Sequence, residues 1–241
     1  MDTFQCTLRA TCALAMSTGL ATARPFTTVL NIGTDPGAGV VFDGVSVGGG
    51  SGIVTPDNLS GNMLGSDSQL NLYDGGDILP GFIAGQWNAS STNIEVNVYG
   101  GSVGGTPGGE FRPGPGSTIN ILGGSINNIL AFNSTLNISG GSFLGQIVLI
   151  EPGTFNVFGT AFFLDGVELT GLVPGQAFAI NQNGAPFVND LSGVFADGSM
   201  FSFFVGGFDG DPTITVTLIP APGAAALLAG AGAVAVRRRR G

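Results

Sequence analysis

Five short stretches of the chain set an asparagine between two apolar residues: Leu70-Asn71-Leu72, Val96-Asn97-Val98, Ile119-Asn120-Ile121, Leu136-Asn137-Ile138 and Phe155-Asn156-Val157. Leu30-Asn31-Ile32 is an outlying copy. Residues two apart on an extended chain share a face, so each triplet predicts a strand with its apolar pair on one side and Asn on the other. Three copies run on into a common extension: Tyr99-Gly100-Gly101-Ser102-Val103, Leu122-Gly123-Gly124-Ser125-Ile126 and Ser139-Gly140-Gly141-Ser142-Phe143. Gly-Gly supplies positive φ for a tight corner, and the apolar residue after Ser returns a side chain inward on the next short strand.

The asparagines are spaced 40, 26, 23, 17 and 19 residues apart. With an unmarked copy at Val45-Ser46-Val47-Gly48-Gly49 filling the first gap, the period is near 20 with insertions, the signature of stacked supersecondary units. The expected fold is all-β: a right-handed parallel β-solenoid (β-helix) with aliphatic side chains inside and Asn, Ser and Thr laddered along corners or faces. The rival is an antiparallel sandwich, because x-Gly-Gly-x between apolar pairs is also a hairpin signal. Recurrence of the same order at each copy favours the solenoid. Beyond Ala161 the repeat fades into Val167-Glu168-Leu169, Phe178-Ala179-Ile180, Phe201-Ser202-Phe203 and Ile214-Thr215-Val216-Thr217-Leu218, alternating strands between Pro-Gly, Asn-Gly and Asp-Gly turns. These predict a C-terminal antiparallel cap, which a solenoid needs to cover its last core layer and strand edges. No helix is predicted before Gly223. The expected division is 1–23 leader, 24–163 solenoid repeats, 164–219 cap and 220–241 tail.

Composition narrows the chemistry. The 241 residues carry 7 Arg and no Lys or His against 16 carboxylates, for a net charge of −9. That balance argues against a basic patch for nucleic acid or anionic lipid, and the lack of His excludes sites that depend on imidazole. Between the two ends the only cations are Arg24 and Arg112, facing fifteen carboxylates.

The ends read as addresses. Arg9, the apolar stretch Ala10 to Leu20 and the small-x-small Ala21-Thr22-Ala23 make a secretory leader cleaved before Arg24 by signal peptidase. Cys6 and Cys12 both lie within it, so the mature chain would have no thiol or disulfide. At the other end Pro220-Ala221-Pro222 precedes the apolar run Gly223 to Val236 and then Arg237, Arg238, Arg239 and Arg240. Fourteen residues make about 21 Å of helix, short of the roughly 30 Å hydrocarbon core, which predicts a short, marginal transmembrane helix halted by the arginines. This order resembles the PEP-CTERM sorting signal, with Ala221 standing where the commonest form has Glu. The resemblance covers the last 23 residues. It implies that an exosortase-type enzyme cuts at the motif after transient inner-membrane anchoring, sending the protein to the cell surface or extracellular space.

Candidate active-site chemistry is sparse. Glycoside hydrolysis needs two carboxylates facing one groove. Asp74 with Asp77, and Asp209 with Asp211, are the available pairs, and neither is flanked by sugar-binding side chains; the only Trp is Trp87. Arg112, in Glu110-Phe111-Arg112-Pro113-Gly114, is the sole candidate for a lyase base. Asp209 and Asp211 also offer oxygen ligands for Ca2+, although Asp-Gly pairs are more economically turns. Glycosylation tripeptides begin at Asn58, Asn88, Asn133 and Asn137, and read as solvated strand and turn residues. The expected role is a non-enzymatic structural or adhesive surface protein, with extracellular polysaccharide as a possible partner and no cofactor. The alternative is an exported polysaccharide lyase or hydrolase on the same scaffold.

Overall fold

A computed structural model describes residues 25–33, 46–47, 63–86, 91–105, 109–150, 152–180, 188–209 and 212–220. Every regular element among them is a strand. The first rung is β1 (Thr28–Ile32), β2 (Ser46–Val47) and β3 (Met63–Leu64), the second β4 (Ser68–Leu72), β5 (Asp77–Ile78) and β6 (Ile83–Ala84). The third is β7 (Ile94–Val98), β8 (Ser102–Val103) and β9 (Glu110–Pro113), and the fourth β10 (Ser117–Ile121), β11 (Ser125–Ile126) and β12 (Asn128–Phe132). The fifth is β13 (Thr135–Ile138), β14 (Ser142–Phe143) and β15 (Gln146–Ile150). Then follow β16 (Thr154–Gly159), β17 (Ala161–Leu164), β18 (Val167–Glu168), β19 (Ala177–Ala179), β20 (Val188–Val194), β21 (Met200–Asp209) and β22 (Thr213–Leu218).

Every third strand of the five rungs pairs in parallel with its predecessor, which builds three long sheets. The first sheet runs β1-β4-β7-β10-β13-β16-β22, closed at the far edge by β19; the second runs β2-β5-β8-β11-β14; the third runs β3-β6-β9-β12-β15 and continues into β21, β20, β17 and β18. The protein is thus all-β with long parallel sheets stacked in register, consistent with a β-solenoid. The hairpin alternative fails directly, because Val98 pairs with Leu72 and Ile121, whereas Val103 pairs with Ile78 and Ile126.

The register explains the triplets. Leu70, Val96, Ile119, Leu136, Phe155 and Ile214 form one interior column, and Ile32, Leu72, Val98, Ile121, Ile138, Val157 and Val216 another; all are buried. Ile126 is buried and Phe143 partly buried against the same core. Corners are tight because adjacent rungs touch there. Gly124 has φ +85°, and a Cβ on it would lie 2.8 Å from the carbonyl oxygen of Gly100 in the rung before, so backbone conformation and stacking both demand glycine.

Two expectations need correction. Ser46-Val47 is not an unmarked Asn unit: it pairs with Asp77 and Ile78, and Asn31 lies directly beside Asn71. The 40-residue spacing is therefore one long rung, because sheet register constrains strands but leaves corner length free. The cap also differs in part. β17, β18, β19 and β20 pair antiparallel, but β21 runs parallel to β15 and β22 parallel to β16. Alternation in Phe201-Ser202-Phe203 and Ile214 to Leu218 marks strands without marking their direction, and the chain returns to the parallel stack after its excursion. The leader, Ala221, Pro222, the apolar run and Arg237 to Arg240 lie outside the described residues, as do Asp211, Trp87, Asn58 and Asn88.

Candidate functional site: the asparagine face

The outward side of the first sheet carries three columns. One is Val29, Gln69, Glu95, Thr118, Thr135, Thr154 and Thr213; the next is Asn31, Asn71, Asn97, Asn120, Asn137, Asn156 and Thr215. The third begins at the corner, where the rings of Tyr73 and Tyr99 stack at 5.2 Å and 13°.

The Asn column is a continuous amide ladder. Asn71 Nδ2 donates to Asn31 Oδ1 at 2.9 Å, Asn97 to Asn71 at 3.0 Å, and Asn120 to Asn97, Asn137 to Asn120 and Asn156 to Asn137 each at 2.8 Å. Thr215 Oγ1 donates to Asn156 Oδ1 at 2.7 Å and ends it. Every amide from Asn71 to Asn156 donates toward the N-terminal rung and accepts from the C-terminal one. An Asn side chain has both donor and acceptor and is short enough to stay beside its own strand, so only Asn sustains this pattern at one rung per step. Side bonds thicken the ladder at its buried part: Asn97 also donates to Glu95 Oε1 at 2.6 Å, and Gln69 Nε2 to the same oxygen at 2.7 Å.

A second polar column turns the corner before the first sheet. Asp67 and Asn93 both have positive φ, 52° and 57°, and Asn93 Nδ2 donates to Asp67 Oδ1 at 2.7 Å. Their short side chains tolerate that conformation where most residues do not. In the second sheet Ser102 donates to Asp77 Oδ1, and Ser102, Ser125 and Ser142 share one register position.

The candidate chemical residues fall elsewhere. Asp74 is exposed in a turn, whereas Asp77 opens β5 and accepts from Ser102. Arg112 sits on β9 in the third sheet, bound to Glu110 two residues before it: Nη2 lies 2.7 Å and Nε 2.8 Å from Glu110 Oε2. This is the one ion pair among the described residues, and it joins Arg112 to a neighbour on its own strand, not to a cluster. Asp209 ends β21, while Asp211 is outside the described residues. Among the described residues no group of three or more Cys, Asp or Glu could hold a metal ion. The Asp-Gly pairs that are described make turns. Asp197 accepts from Ser199 N at 2.9 Å and Ser199 Oγ at 2.6 Å, with Gly198 at φ +86°. Asn133 is exposed at a corner, but Asn137 is a ladder member with its amide engaged.

Two features had weak sequence signals. The Tyr73–Tyr99 stack follows from both residues standing just after an Asn triplet. The C-terminal aromatic core joins rings far apart in sequence: Phe203 lies 4.7 Å from Phe143, 5.2 Å from Phe201 and 5.9 Å from Phe155, and Phe201 is 4.3 Å from Phe195. Comparison of the chain with models of known families, with curated proteins and with solved structures finds no match.

Proposed function

We propose that the protein is an exported structural or adhesive component of the cell surface or extracellular matrix, a parallel β-solenoid whose antiparallel strands close its C-terminal end. The observation that carries this reading is the Asn ladder. The most regular polar side chains of the molecule are committed to one another, rung to rung, which is the use expected of a scaffold. Export rests on the leader pattern, and surface sorting rests on the resemblance of the tail to the PEP-CTERM signal. Pro220 is exposed two residues after β22, so the Pro220-Ala221-Pro222 motif begins just past the last described strand. Proline there keeps the preceding residue extended, a backbone form that a processing enzyme can grip. An exosortase-type enzyme would cut at this motif once the arginine cluster has halted transfer, and the product would reside outside the membrane. Extracellular polysaccharide is the partner class that this location supplies.

Mass spectrometry of the exported protein tests the reading. The expected result is an N-terminus at Arg24, a C-terminus near Pro222 and no peptide containing Arg237 to Arg240. Recovery of the intact arginine-ended chain from the cell surface would overturn the processing step and make the tail a permanent anchor.

A further inference from the structure

The two ends of the stack are finished differently. At the C-terminal end β19 covers Thr215 to Thr217 of β22, and β20 covers β21. The strands left outermost there are short: β18 has two residues, one of them Glu168, and β19 has three. Short or charged edge strands resist pairing with other chains. At the N-terminal end β2 and β3 have two residues each, but β1 has five, Thr-Val-Leu-Asn-Ile, with neither charge nor proline. It is the longest edge strand among the described residues.

The hydrogen bonds show which groups of β1 face outward. Thr28 N donates to Asp67 O and Tyr73 N donates to Ile32 O, so Thr28, Leu30 and Ile32 turn their backbone groups toward β4. By alternation the N–H and C=O of Val29 and Asn31 point away from the sheet. The ladder has the same polarity: Asn31 Oδ1 accepts from Asn71, and Asn31 Nδ2, the terminal donor, has no acceptor among the described residues.

We propose that this edge is a dimerisation surface whose occupant is the β1 strand of a second copy, running antiparallel about a two-fold axis that passes between the two Leu30 residues. The edge is self-complementary under that operation. Val29 of each copy lies opposite Asn31 of the other, and each pair exchanges two backbone bonds, four in all. Leu30 meets its own equivalent on the inward side, so the apolar interior continues across the junction. The same axis, perpendicular to the first sheet, sets the second sheet of one copy against the third sheet of the other, and both end in two-residue strands. Contacts of this kind are isologous and close at two copies. The outermost C-terminal strands β14, β18 and β19 have two or three residues, so among the described residues there is no second five-residue edge, and the assembly stops at a dimer and does not grow into a filament. This inference does not depend on the proposed function.

Sedimentation velocity of the purified protein over a dilution series, paired with hydrogen exchange, tests it. The expected species has twice the mass of one chain and dissociates on dilution, with the amides of Val29 and Asn31 losing protection as it does so. Val29→Pro removes only an outward-facing N–H, which a sheet edge tolerates. It should halve the sedimenting mass with the β circular dichroism unchanged. Should that variant not fold, Val29→Lys changes an outward side chain that is 50% exposed and should also halve the mass. A single-chain mass at every concentration would overturn the proposal. So would a dimer unaffected in either folded variant, or masses climbing beyond two copies.

Discussion

Replacing Asn97 by alanine probes the ladder where it is most enclosed. Asn97 is 6% exposed and makes three side-chain hydrogen bonds: it donates to Asn71 and Glu95 and accepts from Asn120. A net bond contributes about 1 kcal/mol, and a buried partner left unsatisfied adds desolvation cost of about 1–3 kcal/mol. The orphaned groups are unequal. Glu95 keeps the bond from Gln69, whereas Asn71 Oδ1 and Asn120 Nδ2 lose ladder partners. The expected loss is about 2–4 kcal/mol, or roughly 5–15 °C in melting temperature for a chain of this size. Asn31→Ala removes one terminal bond and should cost about 1 kcal/mol or less. Asn97→Asp is the sharper control, because a carboxylate can accept from Asn120 but cannot donate to Asn71 or Glu95. At neutral pH it should destabilise more than alanine. Its stability should recover as pH falls, since the protonated acid regains a donor and protonation then accompanies folding. Urea unfolding followed by circular dichroism reads all three variants. Asn97→Ala unfolding with the parent, or Asn97→Asp exceeding Asn97→Ala in stability at neutral pH, would refute the directional ladder.

Other substitutions address the core and corners. Ile121→Asp buries an unpaired charge where the parent side chain is 1% exposed, and should unfold neighbouring rungs, seen as lost β circular dichroism. Gly75→Ala and Gly124→Ala both force a side chain onto positive φ, but only the second meets a carbonyl; Gly75→Ala should cost about 1 kcal/mol and Gly124→Ala clearly more in urea unfolding. Ser134 has a buried hydroxyl with no hydrogen-bond partner among the described residues, so Ser134→Ala should be neutral or stabilising by about 1 kcal/mol, read as an unchanged or raised melting temperature. Phe203→Ala opens the C-terminal aromatic cluster and should cost about 3–5 kcal/mol in the same assay.

The parallel stack was legible because its two requirements leave marks in sequence. Interior columns force apolar residues at alternate positions, and the ladder forces Asn at each rung, so the triplets at Asn97, Asn120 and Asn137 display register directly. Corners with Gly-Gly-Ser are legible for the same steric reason. Rung length was not, since corners absorb insertions freely, and Ser46-Val47 therefore reads as a repeat unit although it is the second strand of a long rung. Strand direction after Gly159 was hidden because alternation is identical in parallel and antiparallel strands, and because β16 and β22 are neighbours despite the chain between them. The chemical candidates were legible only as residue types. Glu110 was visible beside Arg112, but the ion pair depends on both side chains lying on one side of β9.

The most direct test of the in-register parallel stack is a set of long-range backbone nuclear Overhauser effects around Val98. Stacked rungs require contacts from Val98 to Leu72 and Ile121, and onward from Ile121 to Ile138, with Ser102 and Val103 linked instead to Ser125 and Ile126. Cross-strand contacts joining Val98 to Val103 across Gly100 and Gly101 would establish hairpins in place of stacked rungs and contradict it.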